Sequence, residues 1–290
     1  MHPTNGMRIL TILLAATLLS GCIQKIAIGS MGTIMDNGFE VLNEEQDLAL
    51  AESAIASDLK LLESVLRSDP ENDRFLLLAS MGYSSYSLGF VEDDSLKRAA
   101  ALYLRAKEFG MRILRKHASL RDALSRGPDD LRSALATLSK DDVPAVFWTA
   151  TGWGSYIAAS LTDPEALADL PKVEIMMRFV LEKDPGYFYS GANFFLGTLY
   201  GSRPKILGGD PDASRKYFDE CLRRTGGKFL MAYVYMARSN AVQTQDRELF
   251  DRCLTAVDTT SLDVLPEARL SNAVAKRKAA LLRARADELF

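Results

Sequence analysis

Apolar residues in "LALAESAIASDLKLLESVLRS" recur at Leu48, Ala51, Ile55, Leu59, Leu62 and Leu66, at spacings of three and four. That spacing predicts an amphipathic helix over 46–68. The run stops at Asp69-Pro70, and a second, "LPKVEIMMRFVLEK", stops at Asp184-Pro185. Proline lacks the amide N–H and clashes with the preceding turn, so a helix ends before it. From residue 46 onward strict alternation is almost absent, and the pattern predicts an all-α chain. Helix pairs are expected at 73–89/95–116, 144–160/163–183, 187–201/211–225 and 228–242/245–258, with a closing helix at 266–289. Residues 117–142 contain Gly127-Pro128 and read as an insertion of one or two short helices.

The pattern also repeats. "GYSSY" at 82–86 returns as "GWGSY" at 152–156, an offset of 70, or twice 35. "FDECL" at 218–222 returns as "FDRCL" at 250–254, an offset of 32. Pro70 falls on Pro185 at an offset of 115, which also places Gly82 on Gly197. Periods near 34 mark tetratricopeptide helix pairs. The chain therefore reads as a tetratricopeptide-like α-solenoid of about four pairs plus flanking helices. The repeat glycine is expected to let the two helices of a pair approach closely.

"RPKILGGDP" (203–211) interrupts the third pair. Gly208-Gly209 permits a turn, Asp210 is a natural N-cap, and Pro211 suits the first helical position. A phosphate loop needs Gly-x-x-x-x-Gly-Lys-Ser/Thr after a strand, and this stretch has neither strand nor Gly-Lys. Arg203 and Lys205 read either as part of a solvated loop or as holders of an anion at a groove edge.

The N-terminus belongs to another pattern. Arg8 precedes the apolar run "ILTILLAATLL" and then "SGC", the form of a secretory signal, too short to cross a bilayer as a structural helix. Leu19-Ser20-Gly21-Cys22 resembles a bacterial lipobox, in which Cys22 carries the lipid; an ordinary signal with an unrelated cysteine is the competing reading. The expected organisation is a signal peptide at 1–21, a lipidated tether at 22–45 and a helical domain at 46–290. Ile23 after the Cys, where an inner-membrane retention signal would have Asp, points to the periplasmic face of the outer membrane.

Charge and composition narrow the chemistry. The net charge of −3 is not that of a nucleic-acid binder. Removal of the signal leaves 34 Lys+Arg against 38 Asp+Glu and one histidine, His117. One histidine, in a charged stretch at a helix end, supports neither a His-rich metal site nor a well-placed catalytic triad. No enzyme and no cofactor is expected. Cys221 and Cys253, equivalent in the FDxCL repeat, are expected about 8–10 Å apart on stacked helices. That is too far for a disulfide, so they read as buried thiols.

Residues one and four after the repeat glycine face the concave side of such a pair. That makes Tyr83, Tyr86, Trp153 and Tyr156 candidates for one shared cavity wall, with core packing the alternative for each. Phe194, Tyr200, Arg203 and Lys205 extend the candidate groove, Tyr200 reading first as core. A concave apolar pocket with a few polar groups suits a small ligand.

Several stretches resemble one family. "LPKVEIMMRFVLEKDPGYFYSGANFFLGTLYGSRPKILGGDP", "QDRELFDRCL", "RLSNAVAKRKAALLRARADELF" and the earlier "VPAVFWTATGWGSYIAASL" are similar to the TatT family, the tetratricopeptide lipoproteins associated with TRAP-type solute transporters. The resemblance implies an all-α lipoprotein that forms homotrimers. It implies a periplasmic partner, the solute-binding P component, which would receive a hydrophobic or organic-acid-like ligand. No catalytic residue comes with it, and Cys22 matches the lipidated cysteine. The competing function is a lipidated tetratricopeptide scaffold without a ligand of its own.

Overall fold

Several of the helices begin on a side chain that caps their first turn, among them those starting at Pro211 and Arg247, capped by Asp210 and Asp246. In the computed structural model, which describes residues 32–290, residues 32–43 form α1. The Asp47 carboxylate then caps α2 (Leu48–Ser68), accepting from Ala49 and Leu50 N–H. Asn72 caps α3 (Asp73–Phe90) and Ser95 caps α4 (Leu96–Leu114) in the same way. These side chains satisfy amide groups that the first helical turn leaves without partners.

The insertion contains α5 (Ala118–Ala123) and α6 (Pro128–Leu135). The second pair is α7 (Val143–Ala158) with the short α8 (Pro164–Ala168) and then α9 (Leu170–Lys183). The third is α10 (Tyr187–Gly201) and α11 (Pro211–Thr225). The fourth begins with α12 (Met231–Tyr235), continues through a π-helical stretch (Met236–Ala241) into α13 (Val242–Thr244), and returns along α14 (Arg247–Thr259). α15 (Arg269–Ala284) and α16 (Ala286–Leu289) close the chain. The fold is all-α, and among the described residues there is no strand. Cys22 and residues 1–31 lie outside the described residues.

Residues 43–290 form one compact unit, in which α3 packs on α4, α7 on α9, α10 on α11, and the fourth-pair helices on one another. The repeat glycine behaves differently from expectation in the second pair. A Cβ on Gly152 would lie 2.8 Å from the backbone nitrogen of Lys107 in α4, so the close approach joins consecutive pairs rather than the helices of one pair. Gly110 does the same from the other side, where a Cβ would fall 2.9 Å from the Thr149 Cβ. This crossing explains why α7, with Gly152 at its contact face, is packed so tightly against α4.

The turn at 203–211 is built as its residues predict. Gly208 adopts φ 79°, Asp210 accepts from the Ala213 N–H at 3.0 Å, and Pro211 opens α11. Cys221 and Cys253 are buried and free. Burial pushes each thiol up to about 12, which keeps both protonated and unreactive. The C-terminal helix runs back to the beginning of the unit: α15 packs on α2, and Arg277 Nη2 donates to the Gly89 carbonyl at the end of α3.

Candidate functional site

Three aromatic residues follow Asp184-Pro185-Gly186, and the backbone there departs from an ordinary helix. Phe188, Tyr189 and Ser190 have φ of 45°, 55° and 60°. Left-handed geometry in a residue with a Cβ costs about 1–2 kcal/mol, and a run of three concentrates strain of the kind that proteins keep at functional places. Local bonds from Ser190 and a distant one from Tyr189 hold the run in position. Ser190 Oγ donates to the Pro185 carbonyl at 3.0 Å and accepts from Asn193 Nδ2 at 2.9 Å. The Tyr189 hydroxyl donates to the Glu267 carbonyl at 3.0 Å. Gly191 leaves room for Phe147, whose Cζ would stand 2.5 Å from an added Cβ.

The strained turn aims rings at rings. Phe188 meets Trp148 edge-on at 4.6 Å, and Phe147 lies against both. Tyr189 stacks on Phe229 at 5.1 Å, Phe229 meets Phe194, and Phe194 meets Tyr235 at 5.0 Å. The Trp148 indole donates to the Tyr187 hydroxyl at 3.2 Å. Burial pushes that phenol up to about 12, so it remains a neutral hydroxyl. Trp148, Phe147, Phe229 and Tyr235 are buried, whereas Tyr187, Phe188, Tyr189 and Phe194 are half-buried. The result is a continuous aromatic seam crossing α7, α10 and α12, with an open side at α10.

The seam ends in a polar node. Tyr235 donates from its hydroxyl to Glu92 Oε1 at 2.7 Å, and Tyr103 donates to Oε2 at 2.7 Å. Lys278 donates to Glu92 at 3.0 Å and to Asp93 at 2.6 Å, and Arg238 donates to Glu92 at 3.1 Å. The Lys278 side chain is 3% exposed and that of Glu92 12%. Burial alone would raise the Glu92 carboxyl. Lys278 and Arg238, with the two tyrosine hydroxyls, outweigh burial and hold it below the ordinary carboxylate value. Burial, and then the negative charge of Glu92, keep Tyr103 and Tyr235 well above theirs. Arg238 projects from the π-helical stretch, a distortion often found at functional positions. Two backbone irregularities, at 188–190 and 236–241, thus bracket the same seam.

The sequence-predicted residues fall in different places. Tyr83 is 1% exposed and stacks on Phe109 at 5.8 Å. Its hydroxyl donates to Glu63 and accepts from Lys60. Trp153 is 2% exposed, with Lys107 Nζ 4.3 Å from its ring and Lys172 Nζ 5.8 Å away. Both rings are covered by α4 and its neighbours rather than open along a wall. Tyr86 is 7% exposed, with Arg98 over its ring and donating to its hydroxyl. Tyr156 is half-buried. Tyr200 stacks on Tyr217 at 5.9 Å, donates to Glu174 at 2.6 Å and accepts from Arg178 at 2.9 Å. Burial, together with Glu174, pushes Tyr200 up to about 12. The Arg203 guanidinium donates to the carbonyl of Leu199 at the end of α10 and to that of Leu207 in its own loop, while Lys205 stands exposed. Phe194 alone among these candidates joins the seam.

Sequence reasoning passed over Phe188, Tyr189, Glu92 and Lys278. Glu92 sits in the acidic turn Val91-Glu92-Asp93-Asp94 and Lys278 in a basic tail, and both stretches look like solvated surface. For Phe188 and Tyr189 a signal existed: a Pro-Gly breaker followed immediately by three aromatics.

A family model described as TRAP transporter T-component matches residues 44–290. The chain belongs to the TRAP transporter T-component family. No curated protein matches it. Membership makes this T component an accessory of TRAP transport and an envelope-associated protein, from a family of transport components rather than an enzyme class. Among the described residues no helix is long and apolar enough to cross a membrane.

Proposed function

We propose that this T component is a lipoprotein anchored through Cys22 to the periplasmic face of the outer membrane. In this reading it binds a small ligand with an apolar, planar or organic-acid-like body and passes it to the solute-binding P component. The homotrimer is part of the same proposal and rests on the family likeness. The observation that carries ligand binding is the half-buried part of the aromatic seam, Phe188 and Tyr189, held in left-handed geometry. A packing role alone gives no reason to maintain that strain, whereas a preorganised wall does. Rings with a hydroxyl at one end suit a ligand that is apolar on one side and polar on the other. Phe194, half-buried, extends the candidate surface.

Two measurements test this reading. Mass spectrometry of the native protein should find an acylated Cys22 as the first residue; retention of residues 1–21 would remove the anchor from the proposal. For the ligand site, the aromatic anionic dye 1-anilinonaphthalene-8-sulfonate serves as probe. Phe188→Gly should weaken its binding about tenfold, the loss of one well-placed ring. Glycine adopts left-handed geometry freely, so the backbone should keep its course. Unchanged dye affinity in that variant would sink the seam as a ligand site. Capture of the P component by a protein that binds no dye would favour the scaffold reading.

A further inference from the structure

The loop between α10 and α11 does more than a turn requires. Ile206 is 91% exposed and Leu207 65%. Their neighbours Pro204, Lys205 and Gly208 are exposed as well, so the tip protrudes. Yet the loop is firmly built. Arg203 Nε donates to the Leu199 carbonyl at 3.0 Å and Nη1 to the Leu207 carbonyl at 3.4 Å. Leu207 N–H and Gly209 N–H both donate to the Pro204 carbonyl, at 2.9 and 3.1 Å, and Asp210 N–H to the Tyr200 carbonyl at 3.0 Å. Gly209 passes so close to Arg203 that a Cβ would lie 1.8 Å from its carbonyl oxygen. These bonds fix the course of the loop backbone and hold two branched apolar side chains outward beside a lysine.

That combination matches what a bilayer interface selects. Apolar tips sink below the headgroups, internally bonded backbone lowers the cost of leaving water, and a lysine extends its ammonium back to the phosphates. We propose that Ile206 and Leu207 insert into the interface of the bilayer that carries the protein, with Lys205 on a headgroup phosphate, and so fix the orientation of the helical domain. A protein partner fits less well. Two side chains on a narrow protrusion offer far less than the roughly 800 Å² each partner buries in a stable interface. A membrane needs only a small apolar tip once a tether keeps the domain close, because the second contact is then intramolecular. The inference rests on the lipid anchor proposed above.

The test uses the full lipidated protein in vesicles of phosphatidylethanolamine and phosphatidylglycerol. A nitroxide is attached at Ile206→Cys or, as a control, at the exposed Ser125→Cys. The two native thiols at Cys221 and Cys253 are buried and remain unlabelled under native conditions. At position 206, accessibility to oxygen should rise and accessibility to a nickel chelate should fall relative to position 125. Leu207→Ser should lower the inserted-to-free ratio at position 206 roughly tenfold, the effect of one buried leucine side chain. Equal nickel accessibility at the two positions overturns the proposal. Exclusion of both reagents at position 206 also overturns it, since a protein surface would then cover the tip. The mass of Cys22 in the same sample separates the two ideas: insertion at 206 without acylation refutes the anchor alone, and acylation without insertion refutes the tip alone.

Discussion

Glu92→Gln should lower the unfolding free energy by about 3 kcal/mol at neutral pH, because it removes one partner from a buried ion pair. Lys278, 3% exposed, would keep only Asp93, and Arg238 would lose its carboxylate. The tyrosine hydroxyls of Tyr103 and Tyr235 would donate to a neutral amide instead of a charged oxygen, a weaker bond. The effect should depend on pH in one direction. The folded carboxyl lies below its ordinary value of 4.5, with burial opposing the shift and Lys278 and Arg238 outweighing it. A depressed folded value means that stabilisation is complete above the unfolded value and is lost as pH falls through the folded one. The difference between wild type and Glu92→Gln, measured by urea denaturation, should therefore be level near neutrality and shrink as pH falls below about 4.5. A difference that grew with acid would contradict the charge assignment. Glu92 ties the α3–α4 turn to α15 and the π-helical stretch, so hydrogen exchange should show all three loosening together in the variant.

Trp153→Ala should cost about 3–5 kcal/mol, the range for removing a buried aromatic side chain. The ring is 2% exposed, lies on the face of α7 where Gly152 meets α4, and has Lys107 over it at 4.3 Å. Its indole Nε1 is buried without an acceptor. Trp153→Phe should therefore cost much less than Trp153→Ala, since it forfeits volume but no hydrogen bond. A thermal melt or urea titration decides between packing and wall. If Trp153→Ala melts like the wild type while dye binding falls, the ring lines a ligand surface after all.

The fate of the eight candidate residues shows where repeat logic stops. Positions one and four after the repeat glycine are set by local periodicity, and the helices carrying them form where expected. Which face of each helix is covered depends on its neighbours. Gly152 brings α4 onto α7, and α4 then covers Trp153; Phe109 from α4 covers Tyr83. Helix-face reasoning put equivalent positions of stacked pairs on one shared wall and had no means of seeing which neighbouring helix covers them. Arg203 illustrates the same limit at smaller scale, since its guanidinium bonds a carbonyl at the end of α10 and one of its own loop.

The sequence by itself determined the all-α class, most of the helices, though not the helix at 32–43, the break between α8 and α9 or the π-helical stretch, and the turn at 203–211. These rest on interactions within a few residues: apolar spacing, N-caps such as Asp47, Asn72 and Asp210, prolines after Asp69 and Asp184, and the glycine at 208. The family likeness was legible for the same reason, being carried by contiguous motifs. Only the tertiary structure decided that α15 returns to α2 and α3, that Lys278 is buried against Glu92, and that Phe188 and Tyr189 turn left-handed into an aromatic seam. Each of these joins residues far apart in the chain or depends on surroundings that outweigh a local preference. Lys278 is buried because Glu92 and Asp93, 186 and 185 residues away, supply its counter-charge. The left-handed run persists because Phe147, Phe229 and the Glu267 carbonyl, none of them a sequence neighbour, hold it there.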